Sequence, residues 1–189
     1  MTARTTDTNL NEVFLHRWSP RAFDGSDISD ADLATIFDAA RWAPSAMNHQ
    51  PWRFLYAKRG DEHWARFVSF LMPGNSVWAV NASVLVYILS ETVMGERPSR
   101  THSFDAGAAW GMLATQAAML GYHSHGMAGV DFAKVQDELG VPESFKVEAA
   151  IAIGRIGDPA TLSDALRARE IPSDRKPRDE IAYPGNFRG

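Results

Sequence analysis

Arg17-Trp18-Ser19-Pro20-Arg21 sets two guanidinium groups and a hydroxyl at every second position. Pro20 disfavours helix at Ser19, so the segment reads as extended. Alternate side chains of an extended chain share one side, which would bring Arg17, Ser19 and Arg21 together. Two forked cations and a hydroxyl make a phosphate grip; the competing reading is two solvated arginines after a helix. Pro44 to Pro51 (PSAMNHQP) concentrates donors and acceptors between Trp42 and Trp52. Ser45, Asn48 and Gln50 could hydrogen-bond a planar polar ring, and could equally satisfy the backbone of their own loop. His123-Ser124-His125 would place two imidazoles on one face of a strand, a metal-binding pattern, but no third ligand is evident nearby and no metal is expected. Gly126 and Gly129 follow, and glycines let backbone N–H groups approach a ligand closely. Asp174-Arg175-Lys176-Pro177-Arg178 is a basic cluster, either a solvated face or a cover for a phosphate held elsewhere.

These residues need elements to hold them. Ser29 reads as an N-cap with Asp32 three residues on, and Leu33, Ile36, Phe37 and Ala40 repeat at helical spacing behind it. Pro44 stops that helix near Trp42. Trp52 to Ala57 reads as a strand, and Ala82 to Ser90 (ASVLVYILS) as a central strand buried on both faces. Ser103 to Leu120 is the longest helix expected, stopped by Gly121; it is apolar on nearly all sides, so it should be buried, as the spine of one domain or in a subunit interface. Tyr122 to Val130 reads as a short strand or loop, Asp131 to Leu139 as a capped helix, and Lys146 to Ile156 as the last strand. A short helix around Ser163 to Arg169 precedes an extended tail from about residue 170. Long helices mixed with a few strands, without a regular βαβ series, indicate an α+β fold.

Composition narrows the function classes. The 189 residues are 45% hydrophobic and 22% charged, which fits one globular domain over residues 1–189. A net charge of -4 argues against nucleic-acid or anionic-membrane partners. The absence of cysteine excludes disulfides, thiolate catalysis and iron–sulfur ligation. MTARTTDTNL has no apolar core of a secretory signal, and Val84 to Leu89 is too short to span a bilayer, so a soluble cytoplasmic protein is expected. No P-loop, nucleophile elbow, zinc-protease helix or dinucleotide-binding glycine motif is present.

Taken in order, the stretches resemble the nitroreductase family of FMN-dependent oxidoreductases, over nearly the whole chain. Arg17 to Phe23 is similar to the family's R-x-S-x-[RK]-x-F motif, and Ala43 to Trp52 to its A-P-S-x-x-N-x-Q-P-W motif, the more specific match. Asn75, Asp105-Ala106-Gly107-Ala108-Ala109, Gly126 to Asp131 and the Arg175-Lys176 pair resemble further family motifs. The resemblance implies an α+β homodimer with a mostly antiparallel central sheet flanked by helices and the long helix in the interface. It implies an FMN contacted by Arg17, Trp18, Ser19, Arg21, Pro44, Ser45, Ala46, Met47, Asn48, Gln50, Asn75, Met127, Ala128, Gly129, Arg175 and Lys176. NADH or NADPH would reduce the flavin, and a nitroaromatic, quinone or enone would take the hydride from N5 in ping-pong turnover. No side chain is implied as catalytic acid or base, and the alternative is a flavin-binding module with little turnover. Two departures stand out: Trp78 sits where many members have a lysine near flavin N1/O2, and Ala128 where many have a glutamate. Substrate choice would lie in Ser69 to Met72 and Glu91 to His102.

Overall fold

The computed structural model describes residues 4–187; the ends of the expected 1–189 domain, including the first three residues of the segment read for a signal, lie outside the described residues. A short helix, α1 (Val13–His16), leads into the Arg17 segment. The capped helix expected behind Ser29 is α2 (Asp30–Arg41): Ser29 Oγ accepts the Asp32 N–H at 3.0 Å, and Leu33, Ile36 and Ala40 are buried. The strands are β1 (Trp52–Lys58), β2 (Val84–Glu91), a two-residue pair β3 (Val93–Met94) and β4 (Arg97–Pro98), β5 (His123–Met127) and β6 (Phe145–Gly154). The main sheet has the order β1-β2-β6-β5 with every neighbouring pair antiparallel. The other helices are α3 (Trp64–Ser69), α4 (Pro73–Ala79), α5 (His102–Met119), α6 (Phe132–Glu138) and α7 (Asp164–Arg167).

The period of two in β2 divides the core between the faces of the sheet. Val84, Val86 and Ile88 pack with α2 and α5, against Leu33, Ile36, Ala109 and Leu113. Leu85, Tyr87 and Leu89 pack on the other face with Phe67, Phe70, Trp78 and Val135, from α3, α4 and α6. The continuous apolar run expected for a central strand is therefore a strand between two helical layers. A bulge after Ile88 pairs Ile88 with Ala149 and Leu89 with Val147, which leaves Glu148 unpaired between them. Its carboxylate accepts from Ser90 Oγ at 2.5 Å, Ser103 Oγ at 2.6 Å and Lys146 Nζ at 2.8 Å, and so fastens the start of α5 to the sheet.

Within one chain α5 is buried on one side only. Asp105, Ala106, Ala109, Leu113, Ala114 and Ala117 face the sheet, while Phe104, Met112 and Met119 are exposed at 80%, 42% and 59%. Its apolar circumference exceeds what one chain's sheet can cover. Two helices, α3 and α4, had no clear sequence signal, because each is under two turns long and shows little periodicity. The Glu91 to His102 loop contains the β3–β4 pair instead of being irregular throughout.

Leu113 is fully buried between α5 and the sheet. Leu113→Ala is expected to cost about 2–5 kcal/mol. A lowered urea midpoint at unchanged slope would show this, whereas an unshifted midpoint would contradict the packing described.

Candidate functional site

The backbone is already extended at Arg17, where α1 ends (φ -64°, ψ 123°). Arg17, Trp18, Ser19, Arg21 and Arg175 line one cavity of about 370 Å³, so the convergence expected from alternate positions is present. Among the described residues only Arg21 of this group has a carboxylate within ion-pair distance, Glu170 at 3.8 Å. The Arg17 guanidinium is held below its ordinary pKa, first by burial and then by the neighbouring charges of Arg175 and Arg4. Cations gathered in a cavity without counter-charge create a positive potential that attracts an anion.

His125, on β5, lines one wall of the cavity. His125 Nδ1 lies 2.8 Å from the Pro20 carbonyl, which ties β5 to the arginine segment. The His125 ring packs against Trp78 at 4.8 Å between centroids, and His123 meets Trp18 at 6.3 Å. The two imidazoles share a face, as their spacing implies, but that face is packed; among the described residues no group of three potential ligands surrounds them. Both histidines have lowered pKa values, first through burial; Arg17 adds to the shift at His123, and Arg21 opposes the proton at His125.

At its far end β5 opens into the Gly126–Gly129 turn. The N–H groups of Ala128 and Gly129 have no acceptor among the described residues. The Gly129 carbonyl accepts from Met72 N at 3.0 Å and from Asn75 Nδ2 at 3.1 Å. A Cβ at Gly129 would stand 2.5 Å from Asn75 Nδ2, so only glycine admits this approach. Asn75, Ala128 and Gly129 therefore form one polar corner, with Met127 buried beneath it. Gly126 joins the two ends, since it lines a second cavity with Arg17, Ser19 and Trp110. One short strand thus connects a cationic pocket to a pair of free amides, a span of roughly 14 Å for five extended residues.

Other expected site residues lie elsewhere in the chain. Pro44 to Gln50 sits against the start of α5, where Ala46 N donates to Asp105 Oδ2 at 3.2 Å and His49 Nε2 lies 3.0 Å from the Val93 carbonyl. Ser45 Oγ accepts from Gln50 N at 3.0 Å, and Gln50 Nε2 donates to the Asn48 carbonyl at 3.0 Å. In this chain those two side chains serve their own loop, the housekeeping alternative left open by their types. Met47, Asn48 and Gln50 all have left-handed φ values of 51° to 56°, a costly conformation for residues other than glycine, and Met47 is 85% exposed. Pro44, Ala46, Met47 and Asn48 do not line the arginine cavity. Lys176 lines a neighbouring cleft that shares Arg4, Arg17 and Arg175 with it. Trp78 is 1% exposed, turned into the core, and donates Nε1 to the Gly74 carbonyl at 3.0 Å. Arg4, Arg169 and Glu170 gave no signal in the sequence, because each stands in a polar segment and meets the site only through tertiary contacts.

An antiparallel sheet between helical layers, with a cationic cavity joined to a glycine-bounded polar corner, describes an α+β protein with a pocket suited to attract an anion. The Nitroreductase family model matches residues 15–77 and 68–155, and the chain belongs to that family. It is 51% identical, at a TM-score of 0.95, to a crystal structure described as an oxidoreductase containing FMN, covering 98% of this chain and 96% of that one. It is 32% identical over 144 residues to an uncharacterized 15.4 kDa protein of Mycolicibacterium smegmatis, covering 71% of this chain and 97% of that protein. A protein of Archaeoglobus fulgidus provisionally named NADH dehydrogenase/NAD(P)H nitroreductase is 27% identical over 149 residues, 77% of this chain and 83% of that protein.

The buried histidines make stability depend on pH. Their folded pKa values lie below the unfolded value of about 6.5, so the unfolded chain binds the protons first. Their contribution is full above about pH 6.5 and is lost as pH falls toward the folded values. The melting temperature of the wild type should therefore fall below that pH more steeply than that of His125→Gln; parallel profiles would contradict the assignment.

Proposed function

We propose that the protein is an FMN-dependent oxidoreductase that uses NADH or NADPH to reduce an electron-poor small molecule such as a nitroaromatic, quinone or enone. The observation that carries this reading is the pairing, along β5, of a cavity holding Arg17, Ser19, Arg21 and Arg175 with the free N–H groups of Ala128 and Gly129. A flavin mononucleotide presents the matching ligand, an anionic phosphate at one end and a ring with a hydrogen-bonding edge at the other. The FMN in the 51% identical structure and the name of the archaeal relative support the same reading.

The arginines and Ser19 would bind the phosphate through charge-assisted hydrogen bonds. Ala128 and Gly129 would offer N–H donors near the ring's N5, and Asn75, held by Gly129, would address the ring's polar edge. When bound, FMN supplies hydride transfer between the nicotinamide and the acceptor. The chain's part is to bind, orient and desolvate, and no side chain is assigned as a catalytic acid or base. The Ser69 to Met72 loop, pinned to Gly129 through Met72 N, would bound the acceptor's entry.

The unit of function would be a cytoplasmic homodimer of single-domain chains. The exposed Phe104, Met112 and Met119 give α5 an apolar face for a second copy to cover. The Pro44 to Gln50 corner, which does not line its own chain's cavity, would then serve the site of the other copy through Asn48 and through the side-chain carbonyl oxygen that Gln50 leaves unused among the described residues. Lys176, in the adjoining cleft, would reinforce the phosphate's electrostatic environment. A flavin-binding module with little turnover is the second reading. The burial of Trp78 favours it, because no cation then stands where many family members have a lysine.

Titration with FMN should shift the flavin's visible absorption band, and NADH or NADPH should bleach the bound flavin faster than free FMN under anaerobic conditions. Arg17→Ala should weaken FMN binding by about tenfold to a hundredfold, the loss of hydrogen bonds to a charged group. Absence of FMN binding would contradict the proposal; binding without bleaching by either nucleotide would favour the module.

A further inference from the structure

We infer that Arg4 and Glu170 form a two-point clamp that holds the C-terminal tail across the arginine cavity and so sets the positions of Arg17, Arg21 and Arg175. The inference rests on reading that cavity as the FMN phosphate site.

The first point is Arg4. Its Nε and Nη2 both donate to the Ser173 carbonyl, at 3.0 and 2.7 Å. Its Nη1 donates to the carbonyls of Leu15 and Arg17, at 3.1 and 2.9 Å. One rigid planar group therefore bridges the end of α1 to the tail, a geometry that the single ammonium of lysine cannot reproduce. With three of its nitrogens committed to carbonyls, Arg4 is a positioning residue and not a phosphate ligand, although its guanidinium lines the cavity.

The second point is Glu170, whose side chain is only 2% exposed. Its Oε1 accepts the N–H groups of Arg21 and Ala22, at 2.6 and 2.8 Å, and its Oε2 lies 3.8 Å from Arg21 Nη1. A buried carboxylate thus fixes the backbone at Arg21 and Ala22 through Oε1, while Oε2, without a hydrogen-bond partner among the described residues, offers the head of Arg21 only a long ion pair. The two points fasten the tail at residues 170 and 173, and Arg175 follows two residues later, with its Nη1 turned back onto the Ser173 and Asp174 carbonyls. No helix or strand runs through residues 171–177, so local structure does not hold them there. Electrostatics opposes their position, since Arg175 and Arg17 line one cavity and like charges at short range repel. Hydrogen bonds to carbonyls and one buried carboxylate keep the cations together until an anion arrives.

Affinities for FMN and for riboflavin, which lacks the phosphate, test the clamp in the full-length protein by flavin fluorescence quenching. Arg4→Ala should weaken FMN by about tenfold to a hundredfold and leave riboflavin nearly unchanged. Arg4→Lys keeps the charge but not the fork, and should fall with Arg4→Ala. Glu170→Ala separates geometry from charge: removing an anion should tighten FMN if only Coulomb attraction matters, whereas loss of the clamp should weaken it. Wild-type FMN-to-riboflavin ratios in Arg4→Ala and Glu170→Ala would overturn the inference, whether both affinities are kept or both fall together. Full rescue by Arg4→Lys, or tighter FMN in Glu170→Ala, would overturn it as well. A wild-type protein that binds neither flavin would overturn the functional reading itself.

Discussion

The structure is organised around positive charge kept in one place without a counter-ion. Arg17 and Arg175 face a common cavity, and among the described residues neither has a carboxylate within ion-pair distance. Like charges at short range in a half-buried site repel, so such an arrangement persists only where the surrounding chain holds it. Here the holding is done by neutral and backbone groups. Pro20 keeps the segment extended, its carbonyl meets His125, and Arg4 draws the tail inward through main-chain carbonyls. Glu170 is the one carboxylate admitted, and it is spent on Arg21 and on two backbone N–H groups. An anion entering the cavity finds donors already in position, which lowers the ordering cost of binding.

The rest of the fold relates this pocket to the free amides beyond β5. The strand is held in register by β6, and β6 by the fully buried β2, so both ends of the site are referred to the rigid centre of the sheet. The tight contacts at Gly126 and Gly129 show how closely it is built: Trp110 and Asn75 occupy the space that side chains at those positions would need. The bulge at Glu148 secures the start of α5, where Asp105 receives the Pro44 to Gln50 corner. That corner carries three residues in the left-handed region, held by hydrogen bonds among Ser45, Asn48 and Gln50.

Much of this was legible in the sequence because it rests on short-range rules. Proline and alternation predicted that Arg17, Ser19 and Arg21 converge, and the Ser29 cap, the helical spacing behind it and the apolar run of β2 gave the layered architecture. Three kinds of feature were not legible. The role of Ser45 and Gln50 was undecided, because the same groups suit a ligand or a loop, and only the folded chain shows them bonded to the loop. The exposure of one side of α5 escaped composition, since an apolar helix reads alike whether its own chain or another covers it. Arg4 and Glu170 were invisible because the contacts that tie the tail to the rest of the chain span 148 to 169 residues, and nothing local distinguishes them from solvated charges. Trp78 marks the reverse case: its place in the motif suggested the ligand's edge, but its size and apolar surface took it into the core.

The central claim is that the uncompensated arginines exist for the phosphate of a flavin mononucleotide lying along β5. A crystal structure of the protein grown with FMN tests it most directly. The phosphate should be found among Arg17, Ser19, Arg21 and Arg175, with the ring's N5 near the N–H groups of Ala128 and Gly129. A phosphate bound in the neighbouring Lys176 cleft, or a ring placed away from the Gly126–Gly129 turn, would contradict it.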